Sequence, residues 1–313
     1  MTLDLPGRNV IMTIESLTYF ISIIEHKSIS KAAESEHISQ SALTQVVKKL
    51  ESDYNCQLLE RNNKGVTPTA SGLLVYEYAK DLTSLSNALK NRLVCLNEGC
   101  YSIILKPCCS MDNQFIPTLM YHLQSEFPGV KLTTEFDNKI KTISEIQVGI
   151  TDFGIVMGTT PKHDNIDVEI IGFEEIVLVA HASKKITELS VCDLNKHKVI
   201  DFSIASYLKD IHQKVEAMTT SSTPVGYQPF MSLDSISSIK TLIQNNFGIA
   251  FLPKYAITDE LKSGVFQILP LKDFTYRLPI KVISKKNEDL SSLTIDFKKS
   301  LIKAAKKYFL QKN

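Results

Sequence analysis

The sequence predicts a multidomain protein of mixed α+β and α/β class, with a small helical domain, one long helix and a larger α/β domain. Three observations support this: helically spaced apolar residues near the start, a leucine-rich stripe further on, and alternating short strands and helices from Tyr101 onward. A chain of 313 residues fits about two domains of ordinary size. We expect segments at 13–70, 71–98 and 101–313, with residues 1–12 as an extension.

Composition excludes several classes of protein. The chain is 43% hydrophobic and 22% charged, with a formal net charge of +1, which favours a globular protein over a disordered one. No apolar run reaches the roughly 18 residues that a membrane span needs, and "MTLDLPGRNV" does not resemble a secretory signal, so we expect a cytoplasmic protein. The six cysteines are then expected to be reduced, and none forms a C-x-x-C pair.

The first domain should contain three helices and a hairpin. The first helix places Leu17, Phe20, Ile21 and Ile24 on one stripe. A second helix begins at Ser28 or Ser30, and its paired alanines permit close helix packing. After the third helix, "QLLERNNKGVTP" indicates two short strands joined by a turn.

The third helix has two distinct faces. Ser39 is a good N-cap, and the predicted buried face contains Leu43, Val47, Leu50 and Tyr54. The opposite face contains Ser41, Thr44, Gln45 and Lys48. Such a face after a helix and a tight turn fits the major groove of DNA, but an ordinary solvated face has the same pattern and is commoner. The residues alone leave both interpretations open.

A long helix should follow Thr69, its plausible N-cap. Apolar side chains recur along it at spacings of three and four, at Leu74, Tyr78, Leu82, Leu85, Leu89, Leu93 and Leu96. This stripe favours pairing with a second chain, as in a coiled coil, and the alternative is packing on its own domain.

The run "SISKAAESEHISQSALTQVVKKLESDYNCQLLERNNKGVTPTASG" resembles the winged helix-turn-helix of LysR-type transcriptional regulators. It matches the family elements S-x-x-x-A-A, L/I-S-Q-x-A-L-S/T, K/R-x-L-E, L-F/L-E-R and G-V-x-L/P-T-x-x-G in order. The resemblance implies a linker helix for dimerisation and a periplasmic-binding-protein-like effector domain. The first subdomain of this effector domain would comprise about 101–172 and 273–313, and the second about 173–272. The effector would lie in the cleft between them.

The resemblance implies particular DNA contacts. They are Ser30, Lys31, Ser39, Gln40, Ser41, Thr44, Gln45, Lys48, Arg61 and Lys64. Ser41 stands where the family usually has proline, which removes a rigid first turn. Gln45 stands where arginine is common, so we expect preference for adenine and an A·T-rich half-site. Lys49 lies off this face and is expected to be a solvated partner of Asp53.

The effector loop should be "PCCSMDN", after the first strand of the α/β domain. If Ser110 caps the next helix, the free backbone amide groups in the first turn of that helix favour an anionic metabolite. The alternative is that Ser110 and Asp112 serve only as caps. By family position, the effector contacts are Cys109, Ser110, Met111, Phe136, Asp137, Ser203, Ile204, Met231 and Asp234. An alternative is a thiol- or metal-responsive regulator that uses Cys108 and Cys109. The competing interpretation is that both are buried apolar residues without a functional role, as most unpaired cysteines are.

No motif indicates an enzyme: H-E-x-x-H, G-x-S-x-G and the P-loop pattern are all missing. A solute-binding protein without a DNA role is a remote alternative, because the first 98 residues would serve no purpose. We therefore expect a DNA-binding regulator without a cofactor or metal ion. Its partners would be promoter DNA in the nucleoid, a second copy, a tetramer formed through the α/β domains, RNA polymerase and a small effector, but no membrane.

Overall fold

The computed structural model describes residues 13–62, 65–108, 115–186, 188–203, 207–218 and 227–312. The chain divides into two compact units. The N-terminal unit extends to Tyr101 and includes Val148–Ile150, and the α/β unit comprises Ser102–Gln147 and Thr151–Asn313. No described helix is both long enough and apolar enough to span a membrane.

The N-terminal unit has the predicted helices and hairpin. Its elements are α1 (Ile14–His26), α2 (Ile29–Ser35), α3 (Gln40–Tyr54), β1 (Leu59–Asn62), β2 (Gly65–Pro68) and α4 (Ala70–Asn97). The predicted caps Ser39 and Thr69 are confirmed, because their side chains accept hydrogen bonds from the first turns of α3 and α4. Of the two predicted starts of α2, Ser28 is the one that caps the helix. Phe20, Ile23 and Leu58 are completely buried in the core.

The hairpin is attached to the helices by backbone contacts. Val66 N donates to Lys27 O at 3.1 Å, and a Cβ atom on Gly72 would collide with Leu58 O. A carboxylate at the end of α3 adds a further tie, because Glu51 Oε1 accepts from Leu58 N at 2.9 Å and Leu59 N at 3.2 Å. These bonds fix the position of the hairpin beside α3.

The α/β unit alternates strands with helices as the sequence predicts. Its elements are β3 (Tyr101–Pro107), α5 (Phe115–Glu126), β4 (Val130–Thr134), α6 (Lys139–Val148), β5 (Phe153–Met157), β6 (Ile166–His181), β7 (Ile200–Phe202), α7 (Tyr207–Met218), β8 (Met231–Leu233), α8 (Ile236–Gln244), β9 (Ile249–Pro253), α9 (Thr258–Lys262), β10 (Phe266–Ile268), β11 (Tyr276–Lys285) and α10 (Ser292–Lys312). Strands β8 and β10 have only three residues each, and no pattern in the sequence predicted them.

One seven-stranded sheet organises this unit. The strand order is β10-β6-β11-β5-β3-β4, and β9 also pairs with β6. Strand β11 runs antiparallel to both β5 and β6, and its register against β6 shifts between Ile280 and Lys281. Strands β7 and β8 form a separate parallel pair, which a bridge between Val199 and Ile249 connects to β9.

We predict that Glu51→Ala loosens the hairpin, because two half-buried amide groups lose their acceptor. The cost should be about 1–3 kcal/mol. Hydrogen–deuterium exchange of Leu58 and Leu59 should accelerate roughly tenfold or more, in proportion to that cost. Glu51→Gln is the matched control, since its amide oxygen can still accept both bonds. Equal exchange in the wild type and Glu51→Ala would contradict the prediction.

Candidate functional site

Helices α2 and α3 are joined by a short turn lined with small and apolar side chains. Ala32 and Leu43 are completely buried, and alanine permits the close approach of two helices. Ile38 N donates to Ala33 O at 3.0 Å, and Ser39 Oγ accepts from Ala42 N at 3.2 Å. The turn and the cap therefore fix the direction in which α3 leaves α2.

The outward face of α3 carries the polar residues predicted to contact DNA. Thr44 is half-buried, and the exposed members are Ser39, Gln40, Ser41, Gln45 and Lys48. Leu43, Val47 and Leu50 fill the core side, as predicted. Among the described residues, no hydrogen bond or ion pair engages Gln45 or Lys48. These two side chains are therefore available to another molecule.

Other members of the face are already held by hydrogen bonds. Ser30 Oγ donates to Gln40 Oε1 at 3.0 Å and connects α2 with α3. The hydroxyls of Ser39 and Ser41 lie 3.0 Å apart, and Thr44 Oγ1 donates to Gln40 O at 2.8 Å. These bonds orient the first turn of the face. Gln45 and Lys48 are the members of the face that form no hydrogen bond or ion pair with the described residues.

The remaining predicted DNA contacts lie on α2 and the hairpin. Lys31 is exposed on α2, and Arg61 belongs to β1. Lys64 lies outside the described residues.

Two predictions about α3 are wrong. Tyr54 is 38% exposed because it is the last residue of the helix and extends past the core that buries Leu50. Lys49 forms no ion pair with Asp53 within the described chain, and Asp53 Oδ2 is buried without a hydrogen-bond partner. The spacing of four residues was correct, but the buried carboxylate oxygen is not open to an exposed lysine.

The first group of predicted effector residues follows strands β3 and β4. Phe136 is 62% exposed, whereas Asp137 is half-buried. Lys141 Nζ lies 2.6 Å from Asp137 Oδ2, and Asp137 N donates to Pro107 O at the end of β3. Burial alone would raise the pKa of Asp137, but the bonds from Lys141 and Asn138 and the charge of Lys106 lower it overall. Asp137 is therefore an ionised residue that already has cationic partners.

Several predicted effector residues cannot be placed. Cys109, Ser110, Met111 and Ile204 lie outside the described residues.

A buried lysine lies beneath this group. Lys106 is 5% exposed in β3, with Nζ 2.7 Å from Glu145 Oε2 and 3.1 Å from Glu135 Oε2. Burial lowers the pKa of Lys106, but these two carboxylates outweigh it and raise the pKa above its usual value. Glu145 also accepts from Thr151 Oγ1 at 2.8 Å. The network is internally balanced, as buried charges require.

Cys108 is the second residue of the predicted effector loop, and its thiol is mostly buried. Its Sγ lies 3.1 Å from Thr142 Oγ1, and burial raises the pKa of the thiol to about 11. No group of three or more His, Cys, Asp or Glu side chains in the described parts of the chain is arranged to hold a metal ion.

The second group of predicted effector residues follows the small sheet. Ser203 is exposed after β7, and its backbone N donates to Leu233 O at 2.8 Å. Met231 is 38% exposed in β8, and Asp234 is exposed just before α8. The parallel pairing of β7 with β8 puts Ser203 and Asp234 at the same end of this small sheet, whereas Met231 lies opposite Ile200 at the other end.

A buried polar cluster lies behind this second group and was not predicted. Asp201, 7% exposed, accepts from Tyr227 OH at 2.9 Å and lies 3.1 Å from His212 Nε2. Burial and the Asp201 carboxylate raise the pKa of Tyr227. The sequence offered one usable signal for such groups, a charged residue inside an apolar strand, which also marks Lys106 in "SIILKP" and Lys281 in "LPIKVIS".

Comparisons with known proteins cover nearly the whole chain. Residues 14–73 match the model of the bacterial regulatory helix-turn-helix protein, lysR family, and residues 108–306 match the LysR substrate binding domain. A "Probable RuBisCO transcriptional regulator" from Trieres chinensis is 25% identical over 282 residues, which cover 87% of this chain and 90% of the relative. One from Nostoc sp. is 24% identical over 305 residues, which cover 96% and 89%.

Solved structures share the fold. The crystal structure of CbnR, a LysR family transcriptional regulator, has a TM-score of 0.71 at 17% identity and covers 94% of this chain and 99% of that chain. CbnR in complex with its target DNA has a TM-score of 0.70 at 18% identity, covering 94% and 100%. The two family domains, in this order and over this share of the sequence, place the chain in the LysR family of transcriptional regulators, which bind DNA and respond to effectors.

Proposed function

We propose that this LysR-type regulator binds promoter DNA as a dimer, reads it with the outward face of α3, and changes its binding when a small organic anion occupies the α/β unit. The observation that carries the proposal is the outward face of α3, where Gln45 and Lys48 have no partner in the described chain. A regulator of this kind works in the cytoplasm, where promoter DNA lies. It acts by binding rather than by catalysis, with no bound cofactor.

The face of α3 has the geometry of a recognition helix. Its N-terminal turns carry Gln40, Ser41, Thr44 and Gln45, and these turns reach base edges in helix-turn-helix complexes. Lys48 lies one turn further and suits a phosphate. Helix α2 and the hairpin, with Ser30, Lys31, Arg61 and Lys64, would contact the backbone on both sides. The solved complex of CbnR with its target DNA supports this arrangement, since this chain shares that fold.

Gln45 gives the proposal a sequence preference. A glutamine amide can donate to N7 and accept from N6 of adenine, and no described residue competes for this amide. We therefore expect an A·T pair opposite Gln45 in each half-site.

The exposed stripe of α4 supports dimerisation. Its seven apolar side chains are each between 37% and 65% exposed, namely Leu74, Tyr78, Leu82, Leu85, Leu89, Leu93 and Leu96. Contiguous apolar surface of this extent marks a protein interface. A second copy of the same helix fits the spacing of three and four residues. Dimers would then join through their α/β units into a tetramer that bends the promoter and contacts RNA polymerase.

The effector would lie near the two groups of residues that follow β3–β4 and β7–β8. Phe136 and Met231 offer exposed apolar surface and Ser203 offers a hydroxyl, while the carboxylate of Asp137 is already paired with Lys141. An effector that binds one arrangement of the α/β unit better than another shifts the equilibrium between them.

The alternative of a thiol-responsive regulator has less support. Cys108 is a protonated thiol at neutral pH, because its pKa is about 11 and reaction with oxidants or metal ions needs the thiolate.

We predict that Gln45→Arg changes the preferred base pair from A·T to G·C, because arginine pairs with O6 and N7 of guanine. The discrimination should be about 1–3 kcal/mol per half-site. Genome-wide footprinting and selection from random DNA with purified protein measure this preference. Lys49→Arg is the matched control, since it adds a guanidinium group off the outward face. If Gln45→Arg binds the same sites equally well, the assignment of Gln45 is wrong, and no specific wild-type footprint would overturn the proposed function.

We predict that Leu89→Asp weakens the dimer. Each copy loses the burial of a leucine, worth about 1.5–3 kcal/mol, and gains a carboxylate in an apolar seam, so the dimer Kd should rise roughly 100-fold or more. Sedimentation equilibrium measures the change. Lys90→Asp places the same acid beside the stripe and should have little effect. A Leu89→Asp protein that dimerises normally would exclude this seam.

We predict that Cys108 reacts slowly with iodoacetamide at pH 8 in the native protein, because its pKa is about 11. The rate should increase roughly tenfold per pH unit until that value, as the thiolate fraction does. Mass spectrometry of the modified peptides compares Cys108 with the exposed Cys192. Rapid modification of Cys108 at pH 8, before Cys192, would restore the thiol-responsive alternative.

A further inference from the structure

Two lysines meet at the end of β5. Lys281 of β11 pairs with Val156 of β5, and paired residues in antiparallel strands direct their side chains to the same face. That face is the one under α6, because Val156 packs with Ile283 and with Ile143 and Ile146 of α6.

Lys139 is the first residue of α6. Its Nζ donates to Thr159 O at 2.8 Å and lies 3.5 Å from Met157 O. These carbonyl groups stand at the end of β5 and just beyond it. Lys139 and Lys281 are therefore neighbours on one face of the sheet.

Lys281 lacks a balancing charge. No carboxylate within the described residues forms an ion pair with Lys281, although its side chain is half-buried. Burial lowers the pKa of Lys281, and the charge of Lys139 lowers it further. The acids just before and on α6, Asp137 and Glu145, are already engaged, because they contact Lys106 and Lys141.

Exposed apolar side chains lie beside Lys281 on β6. Ile170 of β6 pairs directly with Lys281, faces the same side and is 46% exposed. Val168, two residues earlier on the same face, is 41% exposed. Cationic side chains beside such a surface match a ligand with an anionic head and a hydrocarbon part.

We propose that Lys281, assisted by Lys139, anchors the carboxylate of a small organic acid whose hydrocarbon part lies against Ile170. The inference rests on the proposed function, since it names the class of effector and the residues that select it. A carboxylate here would supply the missing negative charge and form charge-assisted hydrogen bonds, which are about twice as strong as neutral ones. Neither lysine was among the predicted effector residues.

The test measures thermal unfolding of the full-length protein with four probes. They are sodium hexanoate, sodium adipate, inorganic phosphate and uncharged hexanamide. In the wild type, hexanoate or adipate should raise Tm and hexanamide should not. Lys281→Gln should weaken the apparent affinity tenfold or more, and Lys139→Gln should weaken it as well. Lys285→Gln is the matched control, because Lys285 is half-buried four residues further along the same face of β11.

The Tm without any probe separates a binding role from a structural role. Lys281→Gln should leave this Tm unchanged or raise it, because it removes repulsion between two cations. A large fall in this Tm would instead assign Lys281 to the structure of the sheet. The proposal would be overturned if hexanoate and hexanamide shifted Tm equally. It would also be overturned if the Tm shifts were the same in the wild type and in Lys281→Gln for every probe. A Lys281-dependent response to phosphate alone would overturn the choice of a carboxylate.

Footprinting of the same proteins distinguishes this inference from the proposed function. Lys281→Gln should keep the wild-type footprint when no probe is present, because Lys281 lies in the α/β unit. If the footprint is specific but no acid acts through Lys281, only the effector inference fails. If the wild type gives no specific footprint, the DNA-binding proposal fails, whatever the thermal data show.

Discussion

The pairing of β6 with β11 is the constraint on which the rest of the α/β unit depends. These two strands pair from Ile166 to Ile176 and from Tyr276 to Lys285. Strand β5 joins the other edge of β11, while β9 and β10 extend the sheet from β6. A slip of one residue between β6 and β11 would exchange the faces of the sheet and bury polar side chains, so the register is fixed by burial. Strands β3 and β4, which lead to the first group of predicted effector residues, join the same sheet beyond β5.

The ladder between these two strands has one irregular point. The register shifts between Ile280 and Lys281, and β6 has Gly172 opposite Ile280, packed against Phe309 of α10. Ion pairs from Lys298 to Asp167 and from Lys306 to Glu169 attach α10 to the earlier part of β6. The exposed Lys306–Glu169 pair contributes only about 0–1 kcal/mol, whereas Lys298 is buried and, with the packing of Phe309, forms the stronger attachment. An effector beside Lys281 would act next to this break in the ladder.

Features that depend on residues close in the sequence could be predicted, whereas contacts between elements distant in the sequence could not. The caps at Ser39 and Thr69 and the core face of α3 depend on residues within one or two turns, so the sequence reveals them. Strands β8 and β10 are only three residues long, too short to show alternation. The apolar run "SIILKP" predicted a strand, but it could not show that Lys106 meets Glu135 and Glu145, because these residues come from elements far along the chain. The candidate DNA contacts needed the resemblance to a family, since their polarity alone also fits a solvated helix.

Lys106 and Lys281 show why burial alone does not identify a binding residue. Both lysines lie in strands that pair with β5, and Lys106 is much the more buried of the two. The charge of Lys106 is balanced within the protein by Glu145 and Glu135, so its removal would leave the buried carboxylate of Glu145 without its nearest cation. Lys281 has no ion-pair partner among the described residues, and a half-buried cation without a partner costs stability. Destabilising residues of this kind are commonly found at functional sites, where a ligand offsets their cost. By this contrast Lys106 is a structural residue of the α/β unit, and Lys281 is the residue that binds the proposed ligand.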